Sequence, residues 1–182
     1  AVMGAAYGSA GERCMAVSVA VTVGEETGDE FVRRLSPRVR DLKVGPYTDP
    51  ASEMGPVVTR EAKERILGCI ESGIEQGAEL VVDGREVNLQ GYENGFFVGG
   101  CLFDRVTTDM DIYREEIFGP VLSVVRVEDY ETAATMVDEH EYGNGTAIFT
   151  RDGDTARDFT KRTQTGMVGV NVPIPVPVAY HS

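Results

Sequence analysis

Lysine and histidine are scarce in this 182-residue sequence. Lys43, Lys63 and Lys161 are its only lysines, and His140 and His181 its only histidines, beside 14 arginines. Acidic residues number 30 and basic ones 17, for a net charge of −13. That balance argues against nucleic acid or an anionic membrane as a partner, because both need a basic face. There are three cysteines, Cys14, Cys69 and Cys101, with no CxxC pair and no Cys/His metal spacing. No zinc site is expected from such a set, and its odd, scattered character points to a reducing compartment, the cytoplasm. No apolar run reaches about 18 residues, which excludes a membrane-spanning helix. No basic stretch precedes an apolar one, so no signal peptide is expected. GxGxxG and GxxxxGK[ST] are both absent, so the segment carries no dinucleotide or phosphate fingerprint of its own. Internal repeats are absent too, which removes solenoid architectures. The chain opens without Met on a helix-like run, Ala1 to Ala10, and is expected to begin mid-fold.

What remains is ordinary globular material. Apolar residues make up 42% and charged residues 26%. A chain of this size buries roughly 70% of its unfolded surface and needs no disulfide or metal staple. The acidic, lysine-poor surface suits a salt-rich cytoplasm, where screening weakens self-repulsion. It suits an ordinary acidic cytosolic protein as well.

Apolar β-rich runs alternate with helical patterns. Residues 16–23 (AVSVAVTV) read as a buried strand ending at Gly24. Phe31, Val32, Leu35, Val39 and Leu42 recur at helical spacing over 27–43, with Pro37 predicting a kink or break. Residues 44–58 form a Gly- and Pro-rich loop. A helix over 59–77 is predicted from Thr59 as cap, Glu61 in the first turn, Gly77 as terminator, and the stripe Ala62, Ile66, Ile70, Ile74. Cys69 beside that stripe and Cys101 in the extended segment 96–103 read as buried structural thiols. Further strands are expected at 79–83, 121–127, 146–150 and 167–172, and helices at 129–139 and 154–163. The alternation argues an α/β domain in three layers, a largely parallel sheet with helices on both faces. In the tail from Thr163 to Ser182, Pro173, Pro175 and Pro177 alternate with Ile174, Val176 and Val178. Such an apolar ribbon is expected to pack on this domain or on a partner.

Two runs stand out chemically. Cys14 lies among small residues that let backbone amides approach a ligand. The adjacent Arg13 favours a thiolate and Glu12 opposes it. Taken alone, this leaves a nucleophile and a buried structural thiol both open. A Cys–His hydrolase has no supporting pattern around His140 or His181. In the run 115–120 (EEIFGP), a carboxylate and an aromatic precede a Gly-Pro turn. They could serve a sugar hydroxyl and a flat heterocycle, or simply form a turn with Phe118 in the core.

Read together and in order, GAAYGSAGERCMA, EEIFGPV, YGNGTAIFT and GMVGVNVPIPVP resemble the aldehyde dehydrogenase superfamily. The Arg-Cys-Met-Ala core, GYENG at 91–95 and VNVPIPVP are similar to its CoA-acylating methylmalonate-semialdehyde (malonate-semialdehyde) dehydrogenases. The resemblance covers nearly the whole chain. It implies that Cys14 is the catalytic nucleophile and that Arg13 holds the substrate carboxylate. It also implies that Glu116 binds the nicotinamide ribose of NAD and that Phe118 lies beside the nicotinamide. Coenzyme A is the implied co-substrate, a small aldehyde the substrate, and a dimer or tetramer the parent assembly. Residues 1–182 are then expected to be the catalytic domain alone, without the N-terminal coenzyme domain and the C-terminal oligomerisation arm. Glu12 stands where the family usually has Gln. Two rival expectations accompany this one: a hydrolytic enzyme using water in place of CoA, and a truncated, non-catalytic remnant.

Overall fold

The computed structural model describes residues 1–173. Most of the proline-alternating ribbon, and the packing expected of it, lies outside the described residues. Four strands make the central sheet: β1 (Val19–Val23), β2 (Glu79–Val82), β3 (Cys101–Asp104) and β4 (Val121–Val127). Their order is β1-β4-β3-β2. β1 and β3 both run parallel to β4, and β2 pairs antiparallel with β3 at the edge. All of β3 and the first five residues of β4 are buried. That is why these strands read as continuous apolar runs and do not alternate.

Among the described residues there are six α-helices: α1 (Val2–Tyr7), α2 (Glu25–Arg40), α3 (Arg60–Glu75), α4 (Asp111–Arg114), α5 (Tyr130–Glu139) and α6 (Gly153–Arg162). Asp104 and Arg126 point from the sheet toward α2, where Gly28 lies against the Arg126 guanidinium and Asp29 bonds it at 2.7 Å. Their strand neighbours Phe103 and Ser123 point the opposite way. On that face Gly73 of α3 packs against Phe103 and Ile112, and the Ser123 hydroxyl donates to the Ile112 carbonyl at 3.4 Å. The architecture is therefore α/β, with helices on both faces of a largely parallel sheet.

Local signals produced the helix ends. The Thr59 hydroxyl accepts from the Ala62 amide at 3.1 Å, Gly77 leaves α3 at φ 95°, and Ile66 and Ile70 are fully buried. Asp129 and Asp152 cap α5 and α6 in the same way. Of the kink or break expected at Pro37, the break does not occur. α2 runs through it and ends one turn later, where the Asp41 amide closes on the Pro37 carbonyl at 3.0 Å. So near a helix end a proline costs one hydrogen bond and leaves no long segment to bend. The extended segment before Cys101 is buried at Phe97 and Val98 but joins the ladder only from Cys101. The last two strands, β5 (Thr146–Ile148) and β6 (Val168–Val170), pair with each other in a separate parallel ladder. Among the described residues no helix is long and apolar enough to cross a membrane.

Candidate active site

The run around Cys14 forms a closed loop standing on a buried foot. Ala5, Ala6 and Tyr7 of α1 are buried, and the Tyr7 hydroxyl donates to the Cys101 carbonyl of β3 at 2.9 Å. Burial holds that phenol well above its ordinary titration range. Ser9, Ala10 and Gly11 then take three consecutive left-handed conformations, φ 54°, 54° and 71°. This reverses the chain within one turn at a steric cost for the two non-glycine residues. The Ala16 amide bonds the Arg13 carbonyl at 3.0 Å, and the Val17 amide bonds the Ala5 carbonyl at 3.1 Å. Cys14 sits at the tip of the tight turn so formed, exposed to solvent.

The three cysteines separate by environment. Cys101 is fully buried, and desolvation pushes its thiol up to about 11. Cys69 is half-buried beside the α3 stripe, and burial raises its thiol as well. Of the three, only Cys14 is open to a substrate.

The residues flanking Cys14 are tied down. Nη2 of Arg13 donates to the carbonyls of Gly4 (2.6 Å) and Ala5 (3.2 Å), bracing the turn against α1. Its Nε is buried without a partner, and Nη1 makes no hydrogen bond among the described residues. Both carboxylate oxygens of Glu12 accept from the Val58 amide, at 2.9 and 3.2 Å. The Glu12 carboxylate is therefore engaged on the loop ahead of α3.

The EEIFGP run reaches the same place. Gly11 sits directly on Gly119, whose carbonyl would collide with a Cβ at position 11. Gly11 thus meets two requirements, a positive φ and contact without a side chain. Arg65 of α3 donates to the carbonyls of Ile117 and Glu116, fixing the loop backbone. Ile117, not Phe118, enters the core; Phe118 is half-buried at φ 48°. The exposed Glu116 carboxylate makes no hydrogen bond or ion pair among the described residues. The structure so brings the Cys14 turn and the Glu116–Phe118 loop against each other through one glycine pair.

A third contributor was not assigned a role from sequence. Asn144, in the YGNG loop ahead of β5, donates from Nδ2 to the Cys14 carbonyl at 2.7 Å. Its partner is 130 positions away, so no local signal could connect them; only membership of a motif marked the segment out.

The family model described as "Aldehyde dehydrogenase family" matches residues 1–181. A malonate-semialdehyde dehydrogenase of Pseudomonas aeruginosa is 60% identical over 182 residues, 100% of this chain and 37% of the relative. The solved structure of a putative methylmalonate-semialdehyde dehydrogenase from Sinorhizobium meliloti, complexed with NAD, is 68% identical with a TM-score of 0.98. That likeness covers 100% of this chain and 37% of the other. A betaine aldehyde dehydrogenase from Staphylococcus aureus, with NAD+ and a BME-modified cysteine, is 27% identical at TM-score 0.92, over 100% and 36% of the two chains. The chain spans 37% of the length of the first of these relatives.

Proposed function

The chain belongs to the aldehyde dehydrogenase family, and from that premise we infer that Cys14 is the nucleophile of a CoA-acylating oxidation of methylmalonate or malonate semialdehyde. The observation that supports this most is the placement of the only exposed cysteine on a turn seated against the Glu116–Phe118 loop. The names of the relatives supply the substrate class. On this reading residues 1–182 are the catalytic domain of a longer, homo-oligomeric cytoplasmic enzyme.

The Cys14 thiolate attacks the aldehyde carbon, forming a C–S bond and an oxyanion. The Cys14 amide, which makes no hydrogen bond among the described residues, is offered to that oxyanion. Nη1 of Arg13 takes the substrate carboxylate, with the rest of the guanidinium already braced on α1. The free, exposed carboxylate of Glu116 fits a ribose hydroxyl of NAD, and the half-buried ring of Phe118 fits a flat heterocycle. When bound, NAD+ supplies the hydride acceptor that converts the thiohemiacetal on Cys14 to a thioester. The C–C bond to the substrate carboxylate breaks, carbon dioxide departs, and the electron pair left on the α-carbon takes a proton from solvent; the thiolate of CoA then attacks the thioester carbon, and Cys14 leaves as a thiolate.

The test is a chimera in which this chain replaces the matching segment of the Pseudomonas aeruginosa relative. NADH and acyl-CoA should form from methylmalonate or malonate semialdehyde only when CoA is present. Acid product formed equally well without CoA would shift the reading to a hydrolytic aldehyde dehydrogenase. No product under either condition would count against the function.

A further inference from the structure

Resting on the reading of Cys14 as nucleophile, we propose that Asn144 is a positioning residue for it, holding the Cys14 main chain from the β5 side through the carboxamide-to-carbonyl hydrogen bond. A carbonyl only accepts, so the nitrogen of the Asn144 side chain must face it. The bond is 2.7 Å long and bridges the separate β5–β6 ladder to a turn that belongs to α1 and the central sheet.

Asn144 speaks from a fixed platform. On one side of it the Tyr142 amide donates to Nδ1 of His140 at 3.0 Å. Nε2 of that ring therefore carries the proton, and it faces the Tyr113 carbonyl of α4 at 3.1 Å. The same loop is tied to the segment ahead of β6, where the Gly166 amide donates to the Gly143 carbonyl at 2.7 Å and the Thr146 amide to the Met167 carbonyl at 2.9 Å. Next to Asn144 the loop presses on Met15: a Cβ on Gly145 would lie 2.5 Å from the Met15 methyl. The nucleophile turn is thus held from three directions. Arg13 braces it on α1, Glu12 on Val58, and Asn144 on the second ladder. Of these three, only the Asn144 bond acts on the peptide of Cys14 itself. It sets the plane of the Cys14–Met15 peptide, and with it the direction in which the sulfur leaves the turn.

The experiment uses the 182-residue chain and reads the rate of Cys14 alkylation by iodoacetamide, native and in urea, with thermal unfolding followed in parallel. Three variants are compared: Asn144→Asp, Asn144→Ala and Asn144→Gln. Asp keeps the shape, loses the donor and turns a negative oxygen toward the Cys14 carbonyl. Ala loses the bond without adding charge. Gln keeps a donor on a longer arm. The native rate should fall roughly tenfold in Asn144→Asp and about threefold in Asn144→Ala, as expected for one lost hydrogen bond. Asn144→Gln should recover most of the rate. The unfolding midpoint should not move, because the residue is exposed. A wild-type rate in Asn144→Ala, or a Gln variant as slow as Ala, would overturn the positioning role. Native wild-type Cys14 reacting no faster than the same thiol in urea would instead overturn the nucleophile reading beneath it.

Discussion

Cys14 and Cys101 are the same side chain in opposite surroundings. Cys101 lies in a fully buried strand between two parallel or antiparallel neighbours, with the Gly84 amide donating to its sulfur at 3.2 Å. Cys14 stands on a strained, glycine-dependent turn at the surface, held by its neighbours Arg13 and Glu12, which reach α1 and Val58, and by Asn144 from the loop ahead of β5. The two are joined by Tyr7, which anchors the foot of the Cys14 loop in the backbone of Cys101. The comparison teaches that burial makes one thiol inert packing, while the same core supplies the rigid footing that lets the other be presented.

The strongest test exchanges the two roles. In the chimera, Cys14→Ala should lower turnover by about a thousandfold or more, because it removes the sulfur proposed to carry the acyl group. Cys101→Ala should leave turnover within about twofold and cost about 1–2 kcal/mol of stability, measured by urea unfolding. If instead Cys101→Ala stopped turnover in a folded protein, the contrast would be wrong.

Next in size is the buried ion pair behind the sheet. Nε and Nη2 of Arg126 donate to the two oxygens of Asp104 at 3.0 and 2.7 Å, with the side chains only 8% and 4% exposed. Arg126→Met leaves a buried carboxylate without its counter-charge and should destabilise the chain by about 3–5 kcal/mol. Alkylation of native Cys14 should stay near the wild-type rate until unfolding begins.

Gly11→Ala should show the reverse pattern. The added methyl meets the Gly119 carbonyl at a backbone position of φ 71°. A cost of about 2–3 kcal/mol is expected, together with a clear change in Cys14 alkylation, because the two site loops must part. Unchanged alkylation would mean that the glycine contact does not position the thiol.

The smallest expected effect is a pH dependence that belongs to Cys101. Its thiol is raised by burial from an ordinary value of 9.0 to about 11. Folded chains therefore hold that proton longer than unfolded ones. The contribution is complete below pH 9 and is lost as pH climbs toward about 11. Tyr7, also raised by burial, adds loss in the same direction at higher pH. Urea midpoints measured through this range should fall less steeply in Cys101→Ala than in the wild type.

What could be read in advance was whatever a few adjacent residues decide. The α3 helix was legible because Thr59, Gly77 and the isoleucine stripe act within one or two turns. β3 and β4 were legible because burial on both faces demands unbroken apolar runs, whereas β1, expected as a buried strand, is mostly half-buried and ends exposed at Val23. Pro37 does not break α2, since its effect depends on how much helix follows it. The separation of β5 and β6 from the main sheet left no mark in their own apolar patterns. In the site, Arg13, Cys14, Glu116 and Phe118 stood out through motif resemblance, whereas Asn144 did not.

The sequence by itself determined the fold class, the helix caps, the acidic surface and the two runs in which chemistry could reside, because each depends on composition or on neighbours along the chain. Only the tertiary structure decided that Cys14 is the exposed thiol and that Ile117, not Phe118, enters the core. It alone paired Gly11 with Gly119, Asp104 with Arg126, and the Asn144 amide with the nucleophile's carbonyl. Those outcomes rest on groups separated by tens of residues or more, whose meeting is set by how the layers pack and leaves no local trace for a pattern to carry.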